Sequence, residues 1–265
     1  MEFRGALEKM SAFPGNPIVY YLTLGDNFIK MNDLIGKSLQ FQYLNSITCF
    51  CGNQVSRVFR QNFCYDCFMT KPEAGEPIFN PEKSQAHLGI EDRDLAYESA
   101  YQLTPHIVYL AQSGGLKVGV TRKTQIPTRW IDQGASEAIV LAETTNRYEA
   151  GIIEVFLKDH LSDKTHWQRM LRSEGDPIDL IEEKNRVMHL LPDPFKQFIS
   201  SDHYVTRLVY PIAKQPEKIK SVKLNGPQPF QDILTGIRGQ YLIFESGFVT
   251  NIRAQEGLEV LLKIG

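Results

Sequence analysis

Apolar and polar positions along the chain first suggest strands. The run 'IVYYLTL' is β-branched and aromatic, Gly25-Asp26 follows as a turn signal, and 'SLQFQYLNSI' alternates in part, so residues 1–48 are expected to form a small β unit. Further on, 'HIVYLA' and 'LKVGVT' have strand composition and are separated by Ser113, Gly114 and Gly115, which predicts a hairpin. Thr128, after Pro127, opens a short helix through Trp130 that Gly134 closes. 'EAIVLAET' reads as a third strand and 'NRYEAGIIEVFLKDHL' as a helix offering Ile152, Val155, Phe156 and Leu157 to that sheet. The predicted order is strand, strand, helix, strand, helix.

The flanks differ from this centre. Pro72, Pro77 and Pro81 forbid a regular helix over 'TKPEAGEPIFNPEKSQAHLG', while 'IEDRDLAYESAYQL' could continue as one polar helix. Two helical pieces are expected in 'DKTHWQRMLRSEGDPIDLIEEKNRVMHLL', residues 163–191, broken near Gly175 and Pro177. Beyond 'LPDPF' the composition returns to β, with 'VTRLVYPI', 'IKSVKL', 'DILTGIRGQYLIF' and 'FVTNI' as candidate strands of a barrel or sandwich that residues 1–48 could complete. Four segments result: an N-terminal β unit over 1–48, a cysteine segment and connector over 49–104, a central α/β domain over 105–175, and a C-terminal β unit over 190–265.

Composition changes this picture only where it excludes. With 265 residues, 42% hydrophobic and 23% charged, the chain can bury a sizeable core. Lys+Arg of 29 against Asp+Glu of 31 gives a net charge of -2, so any phosphate contact must be local. Glu2, Arg4 and Glu8 interrupt the apolar stretch a signal peptide needs, and no long apolar run occurs, so the expectation is a soluble, cytoplasmic chain without a membrane partner.

The four cysteines carry the most specific spacing, C-x-C-x12-C-x2-C, at Cys49, Cys51, Cys64 and Cys67. Two short pairs linked by a dozen residues are how zinc ribbons bring four thiolates to one structural Zn²⁺. The first pair is unusual: in a straight strand alternate residues lie about 6–7 Å apart, too far for one ion. Either a turn at Gly52 bends the chain or His87 supplies a ligand; unmetallated core thiols and a redox dithiol are the alternatives.

The central segment, from His106 to about Trp167, resembles a GIY-YIG nuclease domain. 'IVY', ending at Tyr109, stands for the first name motif and 'KVG', ending at Gly119, for the second; Arg129 matches the helix arginine and Glu154 in 'EAGIIE' the metal-binding glutamate. Gln133 stands where a His or Tyr often follows, and His166 is nearest to the place of a late asparagine. The chain also resembles, over most of its length, an uncharacterised bacterial family, domain of unknown function 2797, on 'KVGVTRKTQIPTRWIDQGA' and 'NRYEAGIIEV'. Together these imply an α+β protein with a GIY-YIG-like centre, a zinc-ribbon-like insert and flanking β-rich segments.

The chemistry implied is phosphodiester cleavage. A tyrosine base, an arginine and a carboxylate holding Mg²⁺ or Mn²⁺ suffice to activate water and neutralise the developing charge. The pKa of tyrosine near 10 requires a neighbouring cation, for which Lys117 is the candidate. A three-residue loop at 113–115 would set Tyr109 opposite Gly119 and Lys117 opposite Ala111, leaving space over Gly119 for a phosphate held also by Arg122 and Lys123. Glu154 is equally spaced to pair with Lys158. The expected function is a nucleic-acid-binding protein with a divalent-metal-dependent nuclease site. The alternative is a catalytically degenerate, zinc-stabilised module that binds nucleic acid or a protein partner.

Overall fold

The computed structural model describes residues 1–161, 167–174 and 177–265. It is a mixed α+β protein with several sheets, dividing into two compact units, Met1–Met69 with Val209–Gly265, and Thr70–Leu208. Among the described residues no helix is long and apolar enough to cross a membrane.

In the first unit the largest sheet runs in the order Glu2–Ala6, Leu258–Ile264, Ser38–Thr48, Phe230–Arg238, Tyr241–Phe244, Phe248–Asn251 and Lys220–Ser221. N-terminal and C-terminal residues therefore share one set of ladders. The strand Leu258–Ile264, absent from the expected elements, lies between Glu2–Ala6 and Ser38–Thr48, and its burial alternates strictly along 'LEVLLKI'. A second, three-stranded sheet consists of Ser11–Phe13, Val19–Leu24 and Asn27–Lys30, with the chain reversing at Gly25, whose φ is 56°. The expected strand in 'VTRLVYPI' shrinks to Thr206–Arg207, and Pro211, having no N–H, could not donate to a longer ladder.

The second unit is built on a four-stranded sheet ordered Thr206–Arg207, Glu137–Thr144, His106–Gln112, Leu116–Arg122. The His106–Gln112 strand is covered on both faces, which explains why 'HIVYLA' shows no polar alternation. Val108 and Leu110 pack with Ala150, Ile153 and Leu157 of the helix Arg147–Lys158, while Ile107, Tyr109 and Ala111 pack with Trp130, Ala135 and Ala138. The helix thus buries positions 150, 153 and 157; Val155, expected on the sheet, is 42% exposed. Spacings of three and four residues select that stripe.

Local chemistry starts this helix and places it. Asn146 caps it, its Oδ1 accepting from the Glu149 N–H at 3.0 Å, while the Glu149 carboxylate accepts from the Thr145 N–H at 2.9 Å. One turn on, a Cβ at Gly151 would lie 2.3 Å from the Glu82 nitrogen, so the turn Pro81–Lys83 sits directly on the helix backbone. The polar run 'IEDRDLAYESAYQL' is helical only from Leu95 to Gln102. The buried Glu98 carboxylate instead accepts from the N–H groups of Asp92, Arg93 and Asp94, folding the preceding residues into a turn. Of the two helices expected over residues 163–191, Trp167–Leu171 and Leu180–Leu190 form; residues 163–166 and the expected break at Gly175 lie outside the described residues.

Candidate functional site

Tyr109 pairs with Gly119 and Ala111 with Lys117 across the hairpin, closed by Ser113, Gly114 and Gly115. This is the register of a three-residue loop. The space over Gly119 is filled by the tyrosine's own ring: a Cβ on Gly119 would lie 2.5 Å from the Tyr109 Oη. Glycine at 119 therefore lets the phenol lie across its neighbour strand and leaves no room for a phosphate there.

The Tyr109 side chain is fully buried, with its ring edge-on to Trp130 at 5.9 Å. Its hydroxyl donates to Gln133 Oε1 at 2.7 Å. Burial pushes its pKa up to about 12, with the Arg129 guanidinium opposing that rise and the Glu154 carboxylate adding to it. Arg129 comes from the helix Thr128–Asp132 and is the cation whose charge favours the phenolate. Groups from three elements set the electrostatics of one hydroxyl: a strand supplies it, a short helix brings a cation whose charge acts on it, and the following long helix a carboxylate that does the same. Lys117 stands two pairs further along the hairpin, opposite Ala111.

A second layer of charge surrounds this group. Arg147 is buried, its Nε donating to the Pro77 carbonyl at 2.8 Å and an Nη to that of Ile78 at 2.7 Å, and it interacts electrostatically with Tyr101, Glu154, Arg129 and Arg122. The Arg122 guanidinium lies 4.2 Å from the Tyr101 ring centroid, and its Nε is buried without a hydrogen-bond partner. Glu154 is 9% exposed and reaches Lys158 at 3.4 Å, so the helix-surface pair exists beside the inward interaction. Lys123 is drawn outward, its Nζ lying 2.6 Å from Glu143.

His106 opposes Arg122 across the hairpin and is wholly buried. Its Nδ1 lies 2.7 Å from the Thr104 carbonyl, which fixes that nitrogen as the donor and leaves Nε2 as a buried acceptor without a partner. Burial lowers its pKa to about 4, assisted by the charges of Arg147 and Arg122, so the ring is neutral at physiological pH. Neither Gln133 nor His106 stood among the expected site residues. The parity of the strand places His106 on the opposite face from Tyr109, and the one sequence signal for position 133 was the resemblance, in which Gln133 stands where a His or Tyr often follows. His166 lies outside the described residues.

The cysteines form a separate centre in the other unit. All four Sγ atoms lie within 4.8 Å of one another, a cluster that could hold one metal ion. Zn–S bonds near 2.3 Å put tetrahedral sulfurs about 3.8 Å apart, so a small contraction completes the site. Gly52, with φ of 86°, donates to the Cys49 carbonyl at 2.8 Å and turns the chain between the first two thiols. His87 is not a ligand; it stacks on Tyr148 at 4.4 Å. Cys49 and Cys67 are buried, and Cys51 is exposed, its thiol brought down to about 7 chiefly by the Asn53 N–H.

A family model matches residues 36–260, from before the cysteine cluster to the last strand. The chain belongs to the family described as "Protein of unknown function (DUF2797)". No curated protein and no solved structure matches it. The matched span includes both the thiol cluster and the hairpin group, so the two centres are parts of one family unit.

Proposed function

We propose that this chain is a nucleic-acid-binding protein with a GIY-YIG-type phosphodiester site on the second unit and a structural zinc in the first. The support is the convergence of Tyr109, Arg129 and Glu154 on one hydroxyl from three elements. Arg129, with Arg122 and Arg147 behind it, offsets the charge of a phosphate; one carboxylate among three guanidiniums leaves the group net cationic. Glu154 would hold Mg²⁺ or Mn²⁺, which suits a hard cation that takes its remaining ligands from phosphate oxygens and water. Bound there, the ion would supply Lewis acidity. Tyr109 would take the proton from the attacking water, in a form reached only once its hydroxyl has left Gln133.

One observation favours a second reading, a catalytically silent module that binds nucleic acid or a protein partner. The Tyr109 hydroxyl is enclosed, protonated and already engaged. Purified chain incubated with mixed-sequence DNA and RNA in Mg²⁺ or Mn²⁺ separates the two. The nuclease reading expects cleavage that falls at least about 100-fold in both Glu154→Ala and Arg129→Ala. Cleavage that persists in Glu154→Ala counts against this site as the nuclease centre, and no cleavage of any substrate supports the silent module.

For the thiol cluster the proposed ion is zinc, held by Cys49, Cys51, Cys64 and Cys67. Four thiolates close its coordination, so the site braces the fold and takes no part in the reaction.

A further inference from the structure

We infer that the cysteine finger, residues 49–69, binds single-stranded nucleic acid by stacking bases on its exposed rings and holding the backbone at an adjoining cationic cavity. The inference rests on the nucleic-acid part of the reading above and is independent of cleavage. A finger of this length has no apolar core of its own, and large rings would be expected inward. Only Phe63 is buried: Phe50 is 49% exposed, Phe59 38% and Tyr65 59%. Phe59 is the centre of an array, with Phe68 stacked at 6.0 Å and 15°, Tyr65 at 5.4 Å, and the Arg57 guanidinium 4.7 Å from its centroid.

Exposed rings alone would suit many partners, and the neighbouring charge selects among them. Arg57 and Arg60 are both exposed, while Asp66 is the only carboxylate between residues 49 and 69. Arg57 also lines a cavity of about 450 Å³ with Ser56, Lys223, Asn225, Asn251 and Glu256. Its single carboxylate, Glu256, already accepts from the Lys9 N–H at 3.0 Å. Two cations and three amide side chains, Gln255 being the third, therefore line a space within the range of small-ligand sites, beside apolar walls such as Ile47 and Leu258. A guanidinium held over a ring keeps its N–H edge for phosphate, and every base offers a face to an exposed ring. A protein partner could also use these rings and the cavity's apolar wall, but Arg57 and Lys223 at the recess, with Glu256 as its single carboxylate, favour a polyanion. Stacking needs unpaired bases, which excludes a duplex.

The test uses the full chain loaded with zinc and fluorescein-labelled 12-nucleotide RNA, DNA and duplex DNA, read by anisotropy in EDTA-free buffer without Mg²⁺. Single strands are expected to bind and the duplex to bind weakly. Tyr65→Ala and Phe59→Ala should each weaken binding by about fivefold or more, and Arg57→Gln should reduce the salt slope by about 0.7. Bound zinc, measured colorimetrically, must remain at the wild-type level in each variant. Phe28→Ala, an exposed ring on the three-stranded sheet, should be neutral. Unchanged affinity in Tyr65→Ala and Phe59→Ala, equal loss in Phe28→Ala, preference for the duplex, or no binding at low salt overturns the inference. Cleavage with unaffected Tyr65→Ala binding removes the finger and keeps the catalytic reading; finger-dependent binding without cleavage does the reverse.

Discussion

The Tyr109 hydroxyl, sealed beneath the sheet surface, donates its proton to Gln133 Oε1 across 2.7 Å. With its pKa near 12, only about one molecule in 10⁵ carries the phenolate at pH 7. If the phenolate is the base, cleavage of a DNA substrate should rise about tenfold per pH unit from pH 7 to 9. Tyr109→Phe should abolish that slope. A flat profile in the wild type would remove Tyr109 from the role of base.

The fit of that ring over Gly119 has a cost when a methyl is added. A Cβ 2.5 Å from Oη must displace a ring confined by Trp130, so Gly119→Ala should destabilise the chain by about 1–3 kcal/mol. Urea unfolding would show a lower midpoint with little change in slope.

Gly151→Ala should go against helix propensity. In an exposed helix the change stabilises by about 1 kcal/mol, but here the added carbon meets the Glu82 backbone at 2.3 Å. Backbone cannot swing aside as a side chain can. A loss of about 3 kcal/mol or more is expected, measured by the same unfolding curves. An increase in stability would show that Pro81–Lys83 does not rest on this helix.

His106 predicts how the chain behaves in acid. Its folded pKa, about 4, lies below the ordinary 6.5, so the stability it contributes is fully present above pH 6.5 and is lost as pH falls through 4. The loss is on the order of 2–3 kcal/mol. Urea midpoints compared at pH 7 and pH 4 should fall more steeply in the wild type than in His106→Gln, where that titration is absent. Parallel declines would mean that the ring is solvated.

Removing the metal should act locally. Elemental analysis is expected to find about one zinc per chain, falling in Cys67→Ser. Chelation should then raise amide exchange across Cys49–Met69, while the His106–Gln112 strand stays protected. Purified chain without metal would refute the zinc assignment.

The element order and hairpin register were legible because each depends on a few neighbouring residues. Three small loop residues fix a three-residue connection, and Asn146 with Glu149 marks the start of a helix. The turn that Gly52 makes between Cys49 and Cys51 follows in the same way, from a spacing no straight strand could satisfy. Periodicity misled where burial was two-sided or distant. It put Val155 on the sheet instead of in solvent, and it passed over Leu258–Ile264, whose partners lie at the other end of the chain.

Sequence by itself therefore determined the order of the central elements and the thiol set, and it offered the pairing of Tyr109 with Gly119 as what a three-residue loop would give. Tertiary structure decided the phenol's immediate surroundings: Gln133 accepts its hydrogen bond, the charges of Arg129 and Glu154 act on it in opposite senses, and its own ring occupies the space above Gly119. The physical reason is range. Turn chemistry and side-chain alternation act over a few residues, whereas the solvation and partners of one buried hydroxyl depend on every element packed against it, brought from 24 residues away in the case of Gln133.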